Sequence, residues 1–257
     1  MSPPAIPAAT LIVMRERAGG PPELLMVERT AAMAFAGGAM VFPGGRIDDG
    51  DCALAATFAE AEAAARIAAI RETLEESGVP VGVEPVPGDD LAWQLQDDLL
   101  AGARFGELLA DHGLGLQLDA LTLFARWKPA FHQARIFDTL FFIAAAPAGD
   151  WQLRPQEGEC ESVEWLSAAE VLDRISRGEA SAIFPTVRNL ERLAQFDSIA
   201  AARADALAHP VETITPWLGD HDGEPHLFLP EGLGYPVTRE PLASVRRGVG
   251  AGIAPPA

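Results

Sequence analysis

The chain has 257 residues, 49% of them hydrophobic, and a formal charge of −18. That supplies ample core material for one domain with appendages, and the charge excludes sequence-independent nucleic-acid binding, which depends on many Lys or Arg contacts to phosphates. Lys128 is the sole lysine, the arginines form no basic tract, and the apolar stretch 139–147 falls far short of the roughly 20 residues that span a bilayer. Residues 1–20 lack the basic start and apolar segment of a signal peptide. Cys52 and Cys160 are too few for a disulfide framework, so a cytoplasmic protein is expected.

In chain order, residues 10–14 and 24–27 flank Gly19-Gly20-Pro21-Pro22 and read as two strands joined by a turn. A third strand enters Phe42, followed by Pro43-Gly44-Gly45. The Ala-rich run 58–77 carries Ile67, Ile70 and Leu74 at helical spacing, which predicts one helix ending at Gly78. Residues 91–112 read as helix within an insertion of about 88–118, and 121–127 and 137–145 as buried strands. A strand at 160–166 leads into Ser167-Ala168-Ala169-Glu170, a capping box that opens a helix toward Arg177. Another helix starts near Pro185 and runs through Val187, Leu190 and Leu193. From His209 the chain turns Pro- and Gly-rich with little periodicity. We therefore expect a domain over 1–208 and an extension over 209–257 that wraps it or reaches a neighbouring subunit, a homodimer being compatible with this. Strands alternating with helices predict an α/β fold with a mixed sheet between helical layers.

The chemistry concentrates on one predicted helix, which reads Arg71-Glu72-Thr73-Leu74-Glu75-Glu76-Ser77-Gly78. Glu72, Glu75 and Glu76 stand at i, i+3 and i+4, so three carboxylates share a face. Unpaired, they repel one another; a hard divalent cation with oxygen ligands, Mg²⁺ or Mn²⁺, offsets that repulsion and suits phosphate chemistry. The competing reading is a solvated Glu/Arg face held by i,i+4 pairs. Phe42-Pro43-Gly44-Gly45 favours the metal site, because two glycines let the backbone approach a ligand closely. Since the overall field repels an anionic substrate, bound metal and local arginines must reverse the potential there.

These residues resemble the signature of the Nudix hydrolases, G-x5-E-x7-R-E-U-x-E-E-x-G-U, where U is a bulky aliphatic. Its second half matches from Arg71 to Val79 with Thr73 in an aliphatic position, and its first half is stretched by 12 residues when Gly45 is the opening glycine. The early acid is left open between Asp51, which lies at the count from Gly45, and Glu60 or Glu62. The resemblance implies an α/β/α sandwich that hydrolyses a diphosphate linked to another group. Glu75 and Glu76 would be metal ligands and Glu72 a ligand or the base. A Gly45 carbonyl would join the metal shell, and Arg71 would orient a glutamate. Where relatives take the base from a later loop, Glu157, Glu159 and Glu161 are available here, and Glu159 or Glu161 is preferred.

The enlarged loop between Gly45 and Arg71, together with Arg29, Thr30, Gly38 and Phe42 to Gly45, is similar to the branch containing the peroxisomal coenzyme A diphosphatases. That implies coenzyme A or an acyl-coenzyme A as the small-molecule substrate, although Ala34 stands where that branch carries a second arginine. Arg29 and Arg46 are candidate phosphate contacts, with Gly44 beside them. Dinucleotides or nucleotide sugars such as NADH and ADP-ribose are the alternative substrates, and a non-catalytic nucleotide-binding module is a third reading. His112, His132, His209, His221 and His226 show no metal-binding spacing, though His132, Gln133 and Arg135 fall where a substrate-facing loop is expected. The tryptophans are read as packing residues.

Overall fold

The computed structural model describes residues 4–33, 36–129 and 136–248; Ala34, His132, Gln133 and Arg135 lie outside them. The first half of the chain forms β1 (Ile6–Arg15), β2 (Glu23–Arg29), β3 (Met40–Val41), β4 (Gly44–Arg46), α1 (Asp49–Ala55), α2 (Ala63–Ser77), β5 (Val83–Glu84), α3 (Asp89–Leu100), α4 (Phe105–Asp111) and β6 (Gly115–Leu116). There follow β7 (Thr122–Trp127), β8 (Phe137–Ala145), β9 (Cys160–Ser167), α5 (Ala168–Ser176), α6 (Phe184–Leu193), α7 (Ile199–Ala208), β10 (Thr213–Ile214), β11 (Trp217–His221), β12 (Glu224–Phe228), β13 (Arg239–Pro241) and α8 (Leu242–Gly248).

Eight strands make one mixed sheet in the order β10-β7-β8-β1-β2-β3, with β4 also on β1 and β9 also on β2. The central strand β1 runs parallel to β8 from Ile6↔Phe137 to Met14↔Ala145. Its other edge changes partner: Ala8 to Thr10 pair with β4, and Met14 and Arg15 with β2. Strand alternation sorts the apolar residues between two cores. Ala9, Leu11 and Val13 of β1 join Leu140, Phe142 and Ala144 of β8 under α2, α3 and α4. Ile12, Met14, Phe141 and Ile143 face the other way, against α5, α6 and α7. The result is the expected α/β/α arrangement with a mixed sheet, and the helical insertion forms α3 and α4.

The helix predicted over 58–77 begins only at Ala63, and a separate helix, α1, precedes it. Asp48 and Asp51 make a reciprocal capping box at the start of α1. Its end is closed by Thr57, whose backbone N–H and hydroxyl both donate to the Leu54 carbonyl. Phe58 then packs on the first core, and Glu62 takes a left-handed conformation, φ 57°, before α2 begins. Ala content favours helix through this stretch, but the hydroxyl cap and the burial of Phe58 win locally. At its other end α2 stops as expected at Gly78, φ 75°.

Residues 209–248 are more ordered than their composition suggests. β10 extends the main sheet beside β7, and β11, β12 and β13 form a small antiparallel sheet. Leu227, Leu229, Leu233 and Tyr235 complete the second core. There the Trp127 indole donates to the Tyr235 hydroxyl at 3.0 Å, which donates to Asn189 Oδ1 at 2.8 Å. No helix among the described residues is long and apolar enough to cross a membrane.

Candidate active site

The acidic cluster sits where the neighbour of β1 changes. α2 is buried on most of its surface, with Ile67, Ile70 and Leu74 in the first core, so the last turns bring Glu72, Glu75 and Glu76 up against the Gly44-Gly45 strand. Gly44 donates its N–H to Glu76 Oε2 at 3.0 Å. At φ 156° a side chain there would run into the Ala9 carbonyl and Thr10. A Cβ on Gly45 would overlap the Glu72 carboxylate. Both glycines are therefore demanded by close approach. Thr73, fully buried, turns its hydroxyl onto the Ala69 carbonyl at 2.7 Å, which satisfies its polar atom where an aliphatic would need nothing.

Arg71 holds the cluster together. Its Nε and Nη2 donate to the two oxygens of Asp51 at 3.0 and 2.9 Å, a bidentate pair with Asp51 almost wholly buried. Nη1 lies 3.0 Å from Glu72 Oε1 and 3.1 Å from Glu75 Oε1, and Nη2 also reaches the Arg46 carbonyl at 3.1 Å. Burial opposes the guanidinium charge, but the carboxylates around it outweigh that and hold Arg71 firmly protonated. Of the acids that the sequence offered for the early position, Asp51 is the one paired with Arg71, and Glu60 and Glu62 are not among the groups on it. The count from Gly45 is the sequence signal that reaches Asp51.

One arginine does not balance the acids. Burial, with Arg71 opposing and Glu75 reinforcing, pushes Glu72 up to about 7. Glu76 rises to about 8 through burial and the Glu72 charge, and burial lifts Glu75 as well. Among the described residues no three carboxylate, imidazole or thiol groups already enclose a common ion-sized point. The donor set nevertheless fits a hard divalent cation. It is all oxygen, anionic in excess of its guanidinium partners, and set against glycines whose backbone can come close. Glu72, Glu75, Glu76 and the Gly45 carbonyl would hold the ion.

Arg29, at the end of β2, is the second cation at the cluster. Nη1 is 3.6 Å from Glu76 Oε1, and its Nε is buried without a hydrogen-bond partner. Residues 157–159 are held beside it: the Thr30 N–H donates to the Glu159 carbonyl at 2.9 Å, and the Thr30 hydroxyl to Gly158. The Glu159 charge bears on both Glu76 and Cys160. Glu161, the second residue of β9, is exposed. Arg46 joins through its backbone carbonyl, its residue surface being exposed. Cys160 is buried opposite Arg29, and burial beside Glu76 pushes its thiol up to about 12, which leaves it an inert neighbour of the site.

A Nudix hydrolase structure from Alicyclobacillus acidocaldarius superposes on this fold with a TM-score of 0.68 and 30% sequence identity, covering 78% of this chain and 96% of that one. The chain is a Nudix hydrolase. Two weaker likenesses are the NUDIX domain of Shewanella oneidensis NrtR complexed with ADP ribose (14% identity, TM-score 0.43, covering 76% of this chain and 88% of that one) and a C. elegans Ap4A hydrolase (15%, 0.36, 78% and 93%). Neither is close enough to bear on the chemistry of this Nudix hydrolase. No protein-family model and no curated protein matches the chain. Membership makes this Nudix hydrolase an enzyme of diphosphate hydrolysis and sets aside the non-catalytic module; divalent metals are the general cofactors of such hydrolases.

Proposed function

We propose that this Nudix hydrolase cleaves the diphosphate of coenzyme A or an acyl-coenzyme A, giving adenosine 3′,5′-bisphosphate and (acyl-)phosphopantetheine. The supporting observation is Arg29. It falls in register with the upstream pattern of the coenzyme A-cleaving branch, stands 3.6 Å from Glu76, and keeps a buried Nε without a partner beside the carboxylates. A guanidinium so placed can donate to a phosphate oxygen without leaving the cluster.

In this reading Glu75 and Glu76, with Glu72 and the Gly45 carbonyl, hold Mg²⁺ or Mn²⁺. The ion, when bound, offsets phosphate charge and polarises the attacking water. The chain's own residues do the rest. Arg71, anchored on Asp51, fixes Glu72 and Glu75 relative to one another. Gly44 fixes Glu76 through its N–H. Arg29 and Arg46 receive the diphosphate, and the Gly44-Gly45 backbone leaves room for it. Glu159 accepts a proton from water as its oxygen attacks phosphorus, the bridging P–O bond breaks, and the leaving phosphate takes the bonding pair. Glu161, and Glu72 if it does not bind metal, are the other candidates for that base. The hydrolase domain is proposed to span 1–208, with 209–257 as an extension that wraps it, adding β10 to its sheet and Leu227, Leu229, Leu233 and Tyr235 to its second core.

Product analysis over coenzyme A, acetyl-coenzyme A, NADH and ADP-ribose with Mg²⁺ or Mn²⁺ tests the substrate. Release of adenosine 3′,5′-bisphosphate at the highest kcat/KM of the set is expected. Faster turnover of NADH or ADP-ribose would discard coenzyme A and fit Ala34, where the branch's second arginine is missing.

A further inference from the structure

The last four carbonyls of an α-helix have no partner within the helix. In α2 every one is met by a protein donor. Leu74 accepts from Gly78 N–H at 2.9 Å, Glu75 from Gln96 Nε2 at 2.9 Å, Glu76 from Gln156 N–H at 3.3 Å and Ser77 from Arg154 N–H at 2.9 Å. Gly78 is the helix's own cap, and the other three donors come from elsewhere in the chain, one from α3 and two from the segment that leads to Glu159.

Gln96 joins these parts. It is 1% exposed, and the same amide nitrogen that donates to Glu75 also donates to the Arg154 carbonyl at 2.9 Å. Its Oε1 is buried without a partner. A Met or Leu would fill the space without burying that lone acceptor, so the amide is useful for its two N–H groups. The Arg154 side chain adds a second tie to α3, with Nη2 2.7 Å from Asp97 Oδ1 and Nη1 3.3 Å from the Trp93 carbonyl. Beyond Gln156 the segment is fixed again, where Cys160 N–H donates to the Gln156 carbonyl and Thr30 N–H to Glu159.

We propose that Gln96 is a positioning residue of the hydrolytic site: through one amide it sets the turn of α2 that carries Glu75 and Glu76 against the segment that carries Glu159. The inserted helix α3 thereby controls the spacing between the metal-holding carboxylates and the base. This rests on the reading of Glu159 and the acidic cluster given above. A displacement of the order of 1 Å in such a pair costs about 100-fold in rate.

Gln96→Met, close in volume and lacking both donors, tests it. In the variant still folded by circular dichroism, we expect kcat to fall by about tenfold or more with KM within about threefold, and the Arg154 and Gln156 amides to exchange hydrogen at least about tenfold faster. A purely packing role would lower the melting temperature and leave kcat of the folded enzyme and the exchange of those two amides unchanged; that outcome overturns the proposal. The exchange measurement and an Mn²⁺ titration need no substrate. If the parent hydrolysed none of the diphosphates, the substrate reading would fail by itself. Faster exchange with weaker Mn²⁺ binding in Gln96→Met would still support the clamp, and parent values for both would overturn it. Should Gln96→Met not fold, Arg154→Ala loosens the same segment from a partly exposed side chain. Lower kcat at the parent's KM supports the proposal, and the parent's kcat overturns it.

Discussion

Asp51 and Arg71 show how much one ion pair governs at the residue scale. The pair is bidentate and buried, and Arg71 in turn touches Glu72 and Glu75. Removing one partner of a buried pair costs roughly 3–5 kcal/mol. Asp51→Asn is therefore expected to lower the melting temperature by about 10 °C and to cut turnover with it, whereas Asp51→Glu, keeping the charge, retains most of both. Parent-like melting of Asp51→Asn would contradict the role given to the pair. Counting from Gly45 already pointed to Asp51, but nothing in the sequence said where the inserted residues fell. The base candidates separate for a similar reason. Strand alternation leaves Glu161 exposed, whereas Glu159 bears on Glu76. Glu159→Gln is expected to lower kcat by about 100-fold or more, with Glu161→Gln within about threefold of the parent; the reverse order in steady-state assays would move the base to Glu161.

Helix α6 carries the clearest consequence at the scale of an element. Glu191 is raised to about 7, chiefly by burial, with Arg188 opposing and Glu240 reinforcing. The unfolded carboxyl titrates near 4.5. Between those values the folded chain holds the proton that the unfolded chain has lost, so this group's contribution to stability falls as pH rises and is flat above about 7. Glu191→Gln should flatten that slope and gain on the order of 2 kcal/mol over the parent between pH 5 and pH 8, read from urea midpoints at the two pH values. An unchanged slope would contradict the burial argument. Elements whose ends carry their own chemistry were legible in the sequence. Ser167-Glu170 forms the capping box that opens α5, Pro185 sits in the first turn of α6, and Gly78 ends α2. The start of α2 was not, because Thr57 and Phe58 act through a hydroxyl cap and a core contact that composition does not report.

Across the whole molecule, the two cores explain why alternating apolar strands predicted the sheet but not its order. β1 is surrounded by β8, β4 and β2, and both the parallel β1–β8 pairing and the antiparallel β2–β9 pairing join segments far apart in sequence, such as Ile6 with Phe137 and Arg29 with Cys160. The Pro- and Gly-rich composition after His209 hid a second determinant. Leu227, Leu229, Leu233 and Tyr235 are buried in the second core, Leu227 and Leu229 at a strand spacing and Leu233 and Tyr235 beyond it, too few and too interrupted by Pro and Gly to stand out as a pattern. Burial of each is worth roughly 1.5–3 kcal/mol, a sum comparable with the whole stability of a domain. A chain ending at residue 208 is accordingly expected to lose cooperative thermal unfolding; a sharp two-state melt of that truncation would show the extension to be dispensable.

In the proposed function, the carboxylates of α2 act with a divalent cation to hydrolyse a diphosphate. The most direct test of that role is turnover of the best substrate against Mn²⁺ concentration in the parent, Glu75→Gln and Glu76→Gln, each verified as folded. Saturable Mn²⁺ dependence in the parent, with turnover lowered by about 100-fold or more in both variants, is the predicted result. Parent-like turnover in either variant, or a parent rate indifferent to Mn²⁺ and Mg²⁺ and to their chelation, would contradict it.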